Sequence, residues 1–192
     1  ALILGECIAR DNQRPLVAGG KVLEWGDRVA TWLLREKDLR GFVPGKGWAH
    51  AVAHGADALG TLAQSPHVAA NELTVILDVI ADRVLLPVDR LFANGEPDRL
   101  AAATMEVLRR NRLPLRVVEP WIARILGSAT TRASYDDRDP HLAGGNAEAF
   151  LRALHLQLAL APHPPEVRSD LLLVVVDALR HSNPHYLQQR SH

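Results

Sequence analysis

Cysteine is nearly absent from this sequence of 192 residues, in which Cys7 is the only one. A single cysteine cannot form an intramolecular disulfide bond, so we expect a protein of a reducing compartment and predict a cytoplasmic location. Long apolar runs are missing too. The longest, residues 171–176, is far shorter than the roughly 20 residues that a helix needs to span a bilayer. We therefore expect no membrane association.

Neither sign of charge is in excess. Lys and Arg total 22, Asp and Glu total 22, and the formal net charge is zero. Proteins that bind nucleic acid usually carry a basic excess on one face, so we expect no nucleic-acid partner. What the sequence has instead is 47% hydrophobic and 23% charged residues, proportions that are typical of globular proteins and exclude a disordered chain.

Helical periodicity dominates the apolar pattern, and no segment predicts a strand. Asn71 and Asn146 are expected to be N-caps, and residues 128–145 form the longest predicted loop. The sequence predicts eight helices, over residues 1–13, 20–36, 48–64, 71–86, 97–111, 114–126, 146–161 and 164–180.

The predicted helices occur in pairs that begin roughly every 45 to 50 residues, at the long end of HEAT and armadillo repeats. Such pairs cannot bury their apolar faces alone, so they stack. We predict an all-α fold of stacked antiparallel helix pairs, a HEAT-like α-α superhelix, as a single domain over residues 1–192. A closed irregular bundle is the alternative. Because Ala1 is not Met and opens within an apolar run, we expect an N-terminally truncated first helix.

The third predicted helix, 48–64, has an unusual polar face. Trp48 lies on its opposite, apolar face, and Ala and Gly fill most of the remaining positions. No Lys, Arg or Glu occurs between Trp48 and Gln64, whereas a solvated helix face normally carries these residues. The composition therefore favours the lining of a groove. The polar face consists of His50, His54, Asp57 and Thr61.

Three roles are open for this polar face. The side chains can form hydrogen bonds inside a helix interface, or they can contact a ligand. They can also hold a metal ion, because two His residues four positions apart with Asp57 one turn later supply three ligands. The zinc-protease motif is not met, since Ala51 stands where its Glu base is required. No cofactor is assigned.

The loop before this helix contains a second group of candidate residues. Asp38 and Arg40 lie near its start, and Gly45-Lys46-Gly47 precede the predicted helix N-terminus. Free N–H groups and the helix dipole favour an anion at such a position. Alternatively, the glycines only permit a tight turn. A phosphate-binding loop is not indicated, because no strand precedes it and Trp48 follows Gly47.

Residues 36–57, EKDLRGFVPGKGWAHAVAHGAD, resemble DUF2785, a bacterial family of proteins of unknown function. The resemblance extends to residues 150–154 and to Asn183-Pro184. It implies a cytoplasmic, helical-repeat protein and supplies no reaction, substrate or cofactor. It also implies that one set of residues belongs together: Asp38, Arg40, Gly47, Trp48, His50, His54 and Asp57.

We therefore predict a binding module that holds a small molecule or a peptide in a groove lined by helix 48–64. A scaffold for a protein partner is the first alternative, because helical solenoids often bind proteins along a concave face. A metal-dependent hydrolase with His50, His54 and Asp57 as ligands is the second. The predicted ligand contacts are Asp38, Arg40, Lys46, Trp48, His50, His54 and Asp57.

Overall fold

A computed structural model describes residues 1–129, 139 and 141–187 of the chain. The described residues are mostly helical, which confirms the all-α prediction. No helix among them is long and apolar enough to cross a membrane. The helices are α1 Leu2–Gln13, α2 Gly19–Arg35, α3 Ala51–Ala63, α4 Ala70–Leu85, α5 Glu96–Arg109, α6 Leu115–Ala129, α7 His141–Leu160, α8 Arg168–Ser182 and α9 Pro184–Leu187. A two-stranded antiparallel sheet, β1 Phe42–Val43 and β2 Gly47–Trp48, lies between α2 and α3.

The helices pack in two layers. Helices α1, α3, α5 and α7 contact one another in that order, and α2, α4, α6 and α8 do the same. Contacts such as α2 with α3 and α7 with α8 join the layers. Helices α3, α5 and α7 begin at Ala51, Glu96 and His141, at equal intervals along the chain. This regularity agrees with stacked pairs, whereas the HEAT-like superhelix stays a prediction.

Helix α2 illustrates how the sequence forms this core. Val22, Gly26, Val29 and Leu33 recur at helical spacing, and all four are buried. Gly26 permits close packing, because a Cβ there would lie 2.5 Å from Leu62 Cδ2 and would force that side chain to move. The buried apolar residues form one cluster that extends from α1 to α8, so every long helix contributes to the same core.

Helix α3 is enclosed on several sides, because it contacts α1, α2, α4 and α5. Its small residues permit this packing. A Cβ on Gly60 would lie 3.3 Å from Ala103 Cα of α5, and a Cβ on Gly5 of α1 would lie 3.4 Å from Ala58 Cβ. The Ala and Gly residues that favoured a groove therefore pack against neighbouring helices, which also explains the lack of long charged side chains.

The hairpin corrects two predictions. The sequence predicts no strand and a helix from Trp48, but β2 includes Trp48 and α3 begins only at Ala51. Trp48 is 60% exposed and does not belong to the core. The turn follows from local chemistry, since Pro44 and Gly45 occupy its centre, Gly45 has φ +75° and Lys46 N–H donates to Val43 O at 3.0 Å. The glycines therefore serve a turn rather than a helix N-terminus.

Several helix ends also differ from the prediction. Asn71 is not an N-cap, because Ala69 precedes α4 and its N–H donates to Glu72 Oε2 at 3.0 Å. Asn146 lies inside α7, where its Oδ1 accepts a hydrogen bond from Phe92 N–H at 2.8 Å. The predicted loop 128–145 is wrong at both ends, which are helical, while residues 130–138 and 140 lie outside the described residues. Helix α8 begins at Arg168 rather than 164.

Candidate functional site

The base of the hairpin fixes the entry into α3. Ala49 N–H donates to Gly41 O at 2.9 Å, and His50 N–H donates to Arg40 O at 3.0 Å. His50 then precedes α3 in the left-handed conformation, with φ +45°. A non-glycine residue rarely adopts this conformation. His50 is thus a junction residue, and it does not share a helical face with His54.

His50 is held by three neighbours. Its Nε2 lies 2.6 Å from Asn94 O in the α4–α5 connection. A carbonyl oxygen only accepts, so Nε2 carries the proton. The ring centroid lies 5.0 Å from that of Trp48 and 5.9 Å from that of His54. His50 therefore connects the hairpin, α3 and the α4–α5 connection.

His54 lies in the first turn of α3 and is half-buried. Burial lowers the pKa of its imidazole, and nearby His50 lowers it further, while Asp57 acts in the opposite direction. No side-chain hydrogen bond joins His54 to a described residue. Because this pKa is lowered, the imidazole is neutral at neutral pH. Neither of its nitrogen atoms is hydrogen-bonded to a described side chain.

Asp57 forms an ion pair with Arg99 of α5. Arg99 Nε donates to Asp57 Oδ1 at 2.7 Å, and Arg99 Nη2 donates to Oδ2. This bidentate pair uses both carboxylate oxygens, and His50 Nε2 is used by Asn94. Among residues 1–129, 139 and 141–187, no group of three His, Cys, Asp or Glu side chains is placed to hold a metal ion. The metal-ligand interpretation has no supporting geometry there.

Asp38 and Arg40 form a second, local ion pair. Arg40 donates from its backbone N–H to Asp38 Oδ1 at 3.0 Å, and from Nη2 to Oδ2 at 2.6 Å. These bonds stabilise the charged carboxylate and lower the pKa of Asp38 to about 2. The pair closes the bend that leads from α2 into the hairpin.

Beside this pair lies a cleft of about 650 Å³, which we call the Arg83 cleft. It is lined by residues 34–40, by Arg83 and by residues 86–90, so it separates the α2–β1 connection from the α4–α5 connection. The lining contains five basic and three acidic side chains together with Leu34, Leu39, Leu86 and Val88. It is an amphipathic cleft between two irregular segments.

Arg83 is the buried residue of this cleft, at 2% exposure. Its Nη1 donates to Leu33 O at 3.3 Å and to Glu36 O at 2.8 Å, which closes the C-terminal end of α2. Its Cζ lies 5.6 Å from the centroid of the Phe92 ring. Burial lowers the pKa of its guanidinium, while Glu36 raises it. Arg83 thus carries a charge that is largely removed from solvent.

The structure divides the predicted site into two groups. Asp38 and Arg40 line the Arg83 cleft, whereas Trp48, His50 and His54 form a separate row of ring contacts. Asp57 is paired with Arg99, and Lys46 is exposed at the hairpin turn. The sequence analysis missed Arg83. The sequence feature that could have indicated its burial is its position, because Arg83 falls at helical spacing on the buried stripe of α4 with Ile76 and Ile80.

Comparisons with known proteins identify a family and nothing more specific. No curated protein and no solved structure matches the chain. The sequence model of the family described as "Protein of unknown function (DUF2785)" matches residues 1–156, a stretch that includes the hairpin, α3 and the whole Arg83 cleft. The match covers well over half of the 192 residues, and the chain therefore belongs to the DUF2785 family.

Proposed function

We propose that this protein is a binding module that holds a small molecule in the Arg83 cleft. The cleft itself is the observation that supports the proposal. Its volume of about 650 Å³ falls within the roughly 300–1,000 Å³ that is usual for ligand sites. The site differs from the groove expected along residues 48–64, because that surface of α3 carries an ion pair and lies outside the cleft.

The composition of the cleft supports the same proposal. Ligand sites combine apolar walls with a few polar groups that fix orientation. Leu39, Leu86 and Val88 provide apolar area, and Arg83 provides a buried polar group. The walls come from connections between helices, which are the parts of a fold that most often carry binding residues. The shape and the chemistry of the cleft therefore both support a binding role.

Filling the cleft tests the proposal. A library of small metabolites is screened by thermal shift against the wild type, against Val88→Trp in the cleft wall and against Leu173→Trp. Leu173 lies on α8 and is 71% exposed, so its variant is a matched control for an added indole. We expect compounds that raise the Tm of the wild type and of Leu173→Trp but not of Val88→Trp.

Two results would reject this site. Compounds that stabilise Val88→Trp as strongly as the wild type bind elsewhere. Compounds whose effect disappears in Trp48→Ala but survives in Val88→Trp bind at the row of rings beside the hairpin. Isothermal titration of the best compound with the wild type, Val88→Trp and Leu173→Trp measures binding directly, and a cooperative melting transition of each protein shows that it is folded.

A protein-binding function is the second candidate, and the hairpin favours it. Phe42 and Trp48 are 58% and 60% exposed, and their ring centroids lie 5.6 Å apart in an edge-to-face arrangement. Exposed aromatic pairs are typical of interface hot spots. The double variant Phe42→Ala/Trp48→Ala should lose a partner that the wild type and a control, Leu156→Ala/Leu173→Ala, both capture and bind as purified proteins. Equal binding by all three proteins would reject this role.

A further inference from the structure

Among the residues that the structure describes, only the Glu36 carboxylate stabilises the charge of Arg83, and it does so without direct contact. It forms no ion pair with a residue that the structure describes. Buried charges are normally paired, because desolvation of an isolated charge is costly. The aromatic ring of Phe92 and the two carbonyl groups at the end of α2 compensate part of this cost. Because Arg83 lines the cleft, the charge that these contacts leave uncompensated contributes to the potential inside it.

The hydrogen bonds of Arg83 are unequally distributed over its guanidinium. Both acceptors, Leu33 O and Glu36 O, bind Nη1. Nε is buried without a partner, and no hydrogen bond joins Nη2 to any described residue. Capping of α2 therefore accounts for one nitrogen atom. The edge formed by Nε and Nη2 makes no hydrogen bond to a described residue, although a buried N–H group such as that of Nε is nearly always satisfied.

The charges around Arg83 add to the same imbalance. Of the three acidic side chains in the lining, Glu36 accepts hydrogen bonds from the N–H groups of Lys37 and Asp38, and Asp38 is paired with Arg40. Asp89 is the third. Arg35, Lys37 and Arg90 form no ion pair within the described part of the chain. The cleft is therefore electropositive.

From these contacts we propose that the Arg83 cleft binds a small organic carboxylate, and that the Nε–Nη2 edge of Arg83 pairs with the carboxylate group. The inference rests on the proposed function, since it names the ligand class of the same site. The two parallel N–H bonds of an arginine edge match the two oxygens of a carboxylate. Leu39, Leu86 and Val88 then contact the apolar body of the ligand.

The test uses three simple ligands of similar shape: benzoate, its neutral counterpart benzamide, and phenyl phosphate. Each is titrated into ¹⁵N-labelled protein, and amide shifts of residues 34–40 and 86–90 are followed by NMR. We expect benzoate to shift these signals with a Kd at least about tenfold lower than that of benzamide. Arg83→Lys, which keeps the charge but not the planar edge, should raise the benzoate Kd about tenfold.

A second variant keeps the test decisive if Arg83→Lys does not fold. Lys37→Ala/Arg90→Ala removes two exposed cations of the cleft, and we expect a several-fold weaker affinity for benzoate. Arg112→Ala/Arg116→Ala makes the same change in net charge at exposed positions outside the cleft. This control should keep the wild-type Kd within about twofold, because long-range charge is screened by salt.

The outcomes separate this inference from the proposed function. If benzamide and benzoate bind the cleft equally well, the cleft holds small molecules but does not select carboxylates, and only the inference fails. If phenyl phosphate binds more tightly than benzoate, the ligand class is phosphate rather than carboxylate, and the inference is also overturned. If benzoate shifts no signal of residues 34–40 and 86–90, the inference is rejected, and the thermal-shift screen decides separately about the site.

Discussion

The C-terminal ends of α2 and α3 are each capped by an arginine side chain, but the two arginines differ in their surroundings. Arg83 donates to Leu33 O and Glu36 O at the end of α2. Arg110 donates from Nη1 to Ala63 O and Ser65 O, and from Nη2 to Val68 O at 3.3 Å, at the end of α3. Each arginine satisfies carbonyl groups that a helix end leaves without partners.

The difference lies in the segment that follows each helix. After α3 the chain turns directly into α4, and Arg110 uses both terminal nitrogens on this turn. After α2 the chain forms the bend at Asp38 and the hairpin before α3 begins. The longer connection leaves a cleft, and the Nε–Nη2 edge of Arg83 has no acceptor among the described residues. A helix-capping residue becomes a candidate ligand contact where the connection is too wide to use all its donors.

The largest expected difference between the two ends is in stability. Arg83→Ala leaves two carbonyl groups without a donor in a buried place, and we expect a loss of about 3 kcal/mol in the free energy of unfolding. Arg110 is only half-buried, so water can replace it, and Arg110→Ala should cost about 1.5 kcal/mol. Urea unfolding of both variants measures the difference. A larger loss for Arg110→Ala would show that burial does not rank these two caps.

The contact of the hairpin base with the α4–α5 connection should rank next. A Cβ on Gly41 would lie 2.1 Å from Asn94 Oδ1, so Gly41→Ala must displace the side chain of Asn94, the residue whose backbone carbonyl binds His50. We expect a loss of about 1–3 kcal/mol, measured by urea unfolding.

The control for Gly41→Ala is Gly20→Ala, because a Cβ on Gly20 in α2 has nothing within 4 Å. The control should gain about 0.5 kcal/mol from reduced backbone freedom of the unfolded chain. Equal effects of the two substitutions would mean that the Asn94 side chain moves at little cost, and that its contact with the hairpin base contributes little to stability.

A smaller effect is expected from His54, which lies beside the hairpin junction. Burial lowers the pKa of its imidazole in the folded protein from the ordinary 6.5. As the pH falls below about 6.5 toward that lower pKa, the unfolded chain binds the proton first, so stability decreases. Denaturant unfolding between pH 5.5 and 7.5 should show a weaker decrease for His54→Gln than for the wild type. Identical pH profiles for His54→Gln and the wild type would mean that other histidines cause the pH dependence of stability.

The smallest effect concerns the Asp38 carboxylate at the bend after α2. Arg40 lowers the pKa of Asp38 to about 2, whereas the unfolded chain has the ordinary value of 3.8. The stabilisation is therefore complete above about pH 4 and is lost as the pH falls toward about 2. Carboxyl ¹³C NMR should report the low pKa, and Arg40→Gln should return it toward 3.8. An unchanged pKa in this variant would assign the shift to Arg90 and to backbone bonds.

The helices could be predicted from the sequence because their signal is local. In α2 the spacing of Val22, Val29 and Leu33 places them on one face whatever the rest of the chain does. The same rule failed at Trp48, because a single aromatic residue four positions before Val52 fits a helical stripe as well as it fits a strand. The hairpin strands have two residues each, too few for an alternating pattern.

The candidate site was only half predictable for a related reason. The segment 36–57 drew attention by its composition, and the family match covers it. The composition did not indicate which of these residues contact one another. Asp38 and Arg40 line a cleft, while His50 binds the carbonyl of Asn94. Asp57 looked like a free ligand because its partner, Arg99, lies 42 residues away in the chain.

The sequence by itself determined the all-α class, the approximate helices and the family, because each depends on neighbouring residues or on a contiguous segment. Only the tertiary structure decided where the cleft lies and that Arg83 belongs to it. The hydrogen bonds that build the site join residues 42 to 50 positions apart. Such pairs form when α2, α3, α4 and α5 pack together, and no local periodicity records them.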